Sequence, residues 1–432
     1  MDSKNFVLNK QLLLKAPFYR YSLLILLLLI SLTTCSDLDT SKESNTDTEM
    51  AIQTNFSIDD DQAWCERMAQ SIMKRNQKAW QLEGRESPKW SYTHGLVSLS
   101  FLKLWEQTGE DKYFDYAKGY ADDMLNEQGE ILNYRMEEFN IDNINPGKIL
   151  FPLYEKTQDI RYKTAMETLR TQIEWQPQNN QGGFWHKLRY PWQMWLDGLY
   201  MGSPYYAQYA LENNQPEVFD EIANQFITME KYSRDEATGL LYHGWDESRV
   251  QAWANEETGC SPHFWGRAIG WYSMALVDVL DYFPEDHPQR QDIIQILQRL
   301  AEAVTKYQEE ETGLWYQVVD LGGKEGNYLE ATVSSMLSYS LFKGVRKGYI
   351  KESYQEVAEK AFNGIVNNLI EVKDDGEVHL NKCCAVAGLG GNPYRDGSYD
   401  YYVNELVRSN DPKGTGPFIL ASIEFEMLYK QQ

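Results

Sequence analysis

Twelve segments of helical character, alternating between two kinds, limit this chain more than any other feature. Six read as amphipathic helices, near residues 62–80, 111–126, 160–175, 215–231, 288–308 and 351–371. Their apolar residues recur at i, i+4, i+7 or i+8, and i+11, as in Tyr113, Ala117, Tyr120 and Met124, or Ile293, Leu297, Leu300 and Val304. Each keeps one polar face, which suits an outer helix. Between them lie six segments that are small or apolar nearly all round, near 93–106, 146–157, 198–212, 266–282, 330–346 and 416–429. These read as buried inner helices. A hairpin of one inner and one outer helix cannot cover its own apolar face, so each needs neighbours. Six hairpins closing on themselves predict an all-α fold, an (α/α)6 double-layered helical barrel. An open solenoid is the alternative, but the terminal segments lack capping character.

The connections are unequal. Links from an inner segment to the next outer one are short and polar, as at Gln107 to Glu110, Asn213-Asn214 and Phe283 to His287. Links from outer to inner are long and rich in Gly, Trp, Tyr and His, and they hold eight of the thirteen tryptophans. In an alternating array all the long links fall at one end. That end is expected to be a rim of exposed aromatics able to stack on sugar rings. The competing reading is that these aromatics pack the loops against one another.

Two carboxylates stand on that rim. Asp142 sits in Ile141-Asp142-Asn143-Ile144-Asn145-Pro146, and Asp197 in Trp195-Leu196-Asp197-Gly198, where the third inner helix begins. A carboxylate at a helix start ordinarily caps free backbone N–H groups and answers the helix dipole, and the residues alone leave that role open for both. Asp197 is the stronger chemical candidate because apolar walls such as Trp195 favour a protonated carboxyl, which a general acid needs. His94, His186, His243 and His263 lie at or beside the long links. Arg267 enters the fourth inner helix between Trp265 and Trp271 and is a candidate to hold a sugar carboxylate through paired hydrogen bonds. An internal salt bridge is its plainer alternative.

The N-terminus reads as an address. Lys4, Lys10, Lys15 and Arg20 precede an apolar stretch, Tyr21 to Leu32, which is short for a membrane span. Leu32-Thr33-Thr34-Cys35 then resembles a bacterial lipobox, although Thr34 departs from the usual Gly or Ala. The expectation is a lipoprotein signal over 1–35, with Cys35 the lipidated first mature residue (palmitate among its acyl chains). A polar, acidic tether over 36–61 and a catalytic domain over 62–432 follow. Export to the envelope of a Gram-negative bacterium, in the periplasm or at the cell surface, goes with that reading. The formal charge is −23; the leader's +3 and the tether's −7 leave −19 on the body. Such a body argues against nucleic acid or an anionic membrane surface as partner, and it makes an acidic substrate depend on a local cationic spot. Cys65, Cys260, Cys383 and Cys384 show no C-x-x-C spacing, so buried free thiols are expected rather than a zinc site. No G-x-G-x-x-G, Walker or G-x-S-x-G motif is present, and no cofactor or metal is expected.

Longer blocks carry a family resemblance. They are Trp185-His186-Lys187, Tyr190-Pro191 and Gln193 through Met201; Ser261-Pro262-His263-Phe264-Trp265-Gly266-Arg267 with Gly270-Trp271; Glu325 through Ala331; and Asp400-Tyr401-Tyr402 through Gly414. Together they resemble the unsaturated rhamnogalacturonyl hydrolases of glycoside hydrolase family 105, and more weakly the unsaturated glucuronyl hydrolases of family 88. The resemblance implies an (α/α)6 barrel, Asp197 as general acid and base with Asp142 assisting, and Tyr92, His186, Trp195, His243, Arg267 and Trp271 around the sugar. It implies removal of a terminal 4,5-unsaturated uronic acid from lyase-generated oligosaccharides by hydration of the C4=C5 enol ether. A rhamnose aglycone, from rhamnogalacturonan or from ulvan, is favoured by the match to family 105. Loops 81–91, 244–259 and 385–399 are the expected choosers of that aglycone. A monomer is expected, touching the membrane only through its lipid. A glycan-binding lipoprotein and a polysaccharide lyase on a similar barrel are the alternatives.

Overall fold

The computed structural model describes residues 57–429. The leader, Cys35 and most of the tether lie outside the described residues.

In chain order the helices are α1 (Trp64–Arg75), α2 (Tyr92–Thr108), α3 (Asp111–Met124), α4 (Leu150–Thr157), α5 (Ile160–Glu174), α6 (Leu196–Glu212) and α7 (Phe219–Ser233). They continue with α8 (Gly266–Val279), α9 (Arg290–Thr305), α10 (Ala331–Arg346), α11 (Tyr354–Asn368), the short α12 (Tyr399–Val403) and α13 (Pro412–Tyr429). The even-numbered helices from α2 to α10, with α13, form an inner ring. Going round it, α2 packs on the turn Asn145–Ile149 that leads into α4, and α6 packs on the same turn. Then α6 meets α8, α8 meets α10, α10 meets α13, and α13 returns to α2. The ring is closed, so the open solenoid is excluded.

Each inner helix carries an outer partner on its flank, α2 with α3 through α10 with α11. The sixth pair joins the two ends of the domain: α1 packs on α13, where the Cys65 N–H donates to Ser422 Oγ at 2.9 Å. Burial follows the two sequence patterns. Every residue of α8 is buried, whereas α3 buries only Tyr113, Phe114, Tyr116, Ala117, Tyr120, Ala121 and Met124. The four cysteines among the described residues are free and buried. Ile58, just before the expected domain start, is buried, and its N–H donates to the Asp375 carbonyl at 3.1 Å.

Among the described residues, strands occur only as three two-stranded ribbons in the links: β1 (Gln193–Trp195) with β2 (Gly244–Asp246), β3 (Ile370–Val372) with β4 (Val378–Leu380), and β5 (Cys383–Cys384) with β6 (Val407–Arg408). The first pairs Met194 with Trp245 and Trp195 with Gly244 across an antiparallel register, and it shapes the site.

The eight link tryptophans do not make an exposed rim. Trp90, Trp195, Trp245, Trp253, Trp265 and Trp315 are buried, and only Trp185 and Trp192 keep partial exposure. The expectation of wet aromatics is corrected for six of the eight. Long links need large flat side chains to bury against one another and against the helices beside them, as Trp245 does on Tyr232 of α7 with centroids 4.2 Å apart.

Candidate active site at the long-link end

Strand β1 runs straight into α6, so Trp195 ends a ribbon and Asp197 stands in the first turn of a helix. Strand β2 starts one residue after His243. The Leu196 N–H donates to the His243 carbonyl at 3.0 Å, which continues the ribbon by one rung. Pairing thus places the His243 ring against Asp197, with Nε2 3.3 Å from Oδ2. On its other side His243 Nδ1 shares a 2.8 Å hydrogen bond with the Tyr402 hydroxyl. Burial holds the His243 imidazole below its ordinary pKa despite the pull of Asp197, so Asp197 faces a neutral ring.

Asp142 has a different setting. It sits in a single turn, Ile141–Asn143, tied down by Asn140, whose side chain accepts from the Asp142 N–H at 3.2 Å. Lys187 Nζ lies 2.6 Å from Oδ2 and His186 Nε2 lies 3.2 Å from Oδ1. Burial works against the charge, but Lys187 and then His186 outweigh it and hold this carboxyl below the usual carboxylate range. Asp142 is ionised. Among the described residues neither carboxylate accepts a bond from a backbone N–H, so capping is not what these two residues do.

Two glycines let the pieces approach. A Cβ on Gly95 of α2 would lie 2.5 Å from Pro146 Cα, and one on Gly202 of α6 would lie 2.8 Å from Ile141 Cδ1. The Asp142 segment is therefore wedged between two inner helices at points where no side chain fits.

One pocket gathers Tyr92, Asp142, His186, Trp195 and Asp197. Trp195 forms its wall, stacked on His186 with centroids 4.4 Å apart and on Tyr190 at 5.0 Å. His243 backs Asp197 from the buried side. Arg267 and Trp271 are not brought to the surface of this pocket. Arg267 is buried beneath it, donating from Nη1 to the Cys384 carbonyl, with its guanidinium carbon 4.6 Å from the Trp265 ring centre. Trp271 is buried and meets Tyr92 edge-on at 6.2 Å. His94 and His263 stand apart as well. His94 is buried against the Trp80 carbonyl, and burial pushes its pKa down to about 4; His263 packs on Tyr399.

The pocket also contains residues that sequence reasoning did not single out. Lys187 and Arg189 line it from the motif strip, and Arg395 from the last long link. Arg395 donates to the Tyr190 hydroxyl at 2.9 Å and lies 5.9 Å over the Trp195 ring. Three cations and two carboxylates thus share the lining, a cationic spot on a chain of net charge −23. Of the three loops expected to choose the aglycone, only 385–399 reaches the pocket, through Val386, Ala387 and Arg395. Loop 244–259 buttresses it from behind, where Trp253 packs with Trp195 and Leu389.

Comparison with known proteins agrees with this arrangement. Residues 64–429 match the family described as Glycosyl Hydrolase Family 88. A glycoside hydrolase from family 105 of C. acetobutylicum ATCC 824 has the same fold, with a TM-score of 0.82 and 46% identity over 85% of this chain and 100% of that one. The 24.9 kDa protein in picA locus of Rhizobium radiobacter is 37% identical over 234 residues, 53% of this chain and 99% of the relative. The unsaturated rhamnogalacturonyl hydrolase YesR of Bacillus subtilis is 24% identical over 295 residues, 67% of this chain and 78% of that protein.

Proposed function

We propose, from the premise that the chain belongs to Glycosyl Hydrolase Family 88, that it removes a terminal 4,5-unsaturated uronic acid from oligosaccharides made by a polysaccharide lyase. The observation that carries this reading is the division between two carboxylates on one pocket. Asp142 is fixed as an anion by Lys187 and His186, while Asp197 has only a neutral imidazole beside it.

In this reading Asp197 is the general acid and base. Its carboxylic acid protonates C4 of the substrate ring, and positive charge develops at C5 and the ring oxygen. The Asp142 carboxylate stabilises that charge. Asp197, now ionised, takes a proton from the water that adds at C5. The hemiketal so formed opens, C1 becomes an aldehyde, and the aglycone leaves as an alcohol, with one water consumed overall. The substrate's alkene is planar, and the flat wall of Trp195 suits it. Lys187, Arg189 and Arg395 supply the positive potential that an acidic sugar needs here. The separation rule for ordinary glycosidase carboxylates does not apply, because no displacement occurs at C1.

A rhamnose-linked substrate, from rhamnogalacturonan or ulvan, is the finer proposal, supported by the likeness to the hydrolase YesR. Export, acylation at Cys35 and a monomeric state are likewise proposals, the first two supported by the leader sequence alone. The activity is tested by mixing the protein with lyase digests of pectin, ulvan and glycosaminoglycans and following the enol-ether absorbance. Loss of signal is expected. A gain on intact polymer would mean a lyase, and no change would mean a glycan-binding protein.

A further inference from the structure

A second cavity opens at the other end of the barrel, where the inner helices finish. Lys103, Lys148, Gln208, Asp278, Tyr339 and Lys343 are among its lining residues. An aromatic plug separates it from the first pocket: Tyr200 stacks on Trp271 at 4.9 Å, and Trp271 meets Tyr92.

The charges on its wall are paired except at two residues, Glu155 and the buried Lys148. Lys343 is held by Asp278 at 2.7 Å and by Asp281 at 2.6 Å, and the Tyr339 hydroxyl donates to Asp278 at 2.6 Å. Lys347 also reaches Asp281, at 3.2 Å, and Lys103 pairs with Glu106 at 2.8 Å. Glu155 stands exposed at the mouth. Lys148 is only 4% exposed, and its Nζ has no hydrogen-bond partner. Nζ stands over the face of Tyr200, 3.5 Å from the ring centre, and the Asp278 charge acts on it from beyond hydrogen-bond reach. A buried ammonium with three donors and no acceptor is costly, and burial pushes this amine down to about 7. Asp278 and Asp281 already have Lys343 and Lys347 as ion-pair partners, so Lys148 has no carboxylate of its own.

We propose that this cavity is a second ligand site, taking a small hydroxylated monocarboxylate such as a uronic acid monosaccharide, with the carboxylate accepting from Lys148 Nζ. One unpartnered cation suits one negative charge. The unpaired Glu155 carboxylate at the mouth disfavours phosphates and other polyanions. Gln208 and the tyrosine hydroxyls give the rest of the ligand polar contacts, which suits hydroxyl groups better than an acyl chain. A carboxylate on Nζ also favours the charged amine, so binding takes up a proton near neutrality and tightens as pH falls from 8 to 6.

The test is isothermal titration of the full protein with sodium D-glucuronate at pH 7.5, in buffers of different ionisation enthalpy. Expected are proton uptake, a roughly tenfold or greater loss of affinity in Lys148→Met, and unchanged affinity in Asp197→Asn. Should Lys148→Met fail to fold, Gln208→Trp at the half-buried mouth is expected to give the same loss by filling it. Absence of binding by the parent, affinity indifferent to Lys148→Met or Gln208→Trp, or binding abolished by Asp197→Asn would each overturn the proposal.

Discussion

Asp142 and Asp197 face one pocket but keep different company, and single substitutions should separate them. Asp197→Asn keeps the shape of the first turn of α6 while removing the transferable proton. Turnover is expected to fall by ~10²–10⁴ with the thermal midpoint little changed. Lys187→Met attacks the other carboxylate through its partner. Without that ammonium, burial raises the Asp142 pKa, and the acidic limb of the pH–rate profile should move up by ~1–3 units. Because the Asp142 pKa is depressed in the folded state, the pair stabilises the protein above the ordinary carboxylate range. That stabilisation is lost as pH falls below it, so the variant should also melt earlier at neutral pH and differ less in acid. An unmoved limb in Lys187→Met would show that Asp142 is not held as described. At this scale Asp142, Asp197 and Trp195 were legible because they stand at or beside the start of an inner helix, while His186 in the long link and Tyr92 at the start of α2 came with the family resemblance. Arg267 and Trp271 share the motif but point into the barrel core. Tyr402 touches His243 across 159 residues, a contact no local pattern reveals.

The helices themselves were legible. Period and polarity separate outer from inner segments, and each boundary falls within a few residues of its expected place. The ribbon β1–β2 was not, since three-residue strands lie below any alternation signal, yet it sets Asp197 against His243. The tryptophans misled for a related reason: abundance in loops does not tell stacking on a ligand from stacking on a neighbouring loop. The close approach of the Asp142 turn to α2 yields a prediction at this scale. Gly95→Ala pushes a methyl group into Pro146 and should cost ~1–3 kcal/mol in urea unfolding while lowering kcat/KM, because the displaced segment carries Asp142. A variant as stable and active as the parent would mean that the contact is slack.

Closure is a property of the whole chain. The ring is completed only when α13 docks on α2 and α1 docks on α13, so no subset of hairpins is covered on both flanks. Removing residues 412–429 is therefore expected to abolish the cooperative thermal transition, whereas a solenoid would lose only its end. The lipoprotein leader proposed for residues 1–35 makes a separate prediction: radiolabelled palmitate should enter the parent and not Cys35→Ser when each is expressed in a Gram-negative host. The central claim is chemical, that a carboxylic acid at position 197 delivers a proton to ring carbon. It is tested most directly by hydrolysing a defined unsaturated disaccharide in D2O and reading the released sugar by NMR. The account predicts one deuterium at C4 and a carbonyl at C5 early in the reaction, with neither formed by Asp197→Asn. A released sugar that keeps its C4=C5 bond would contradict it.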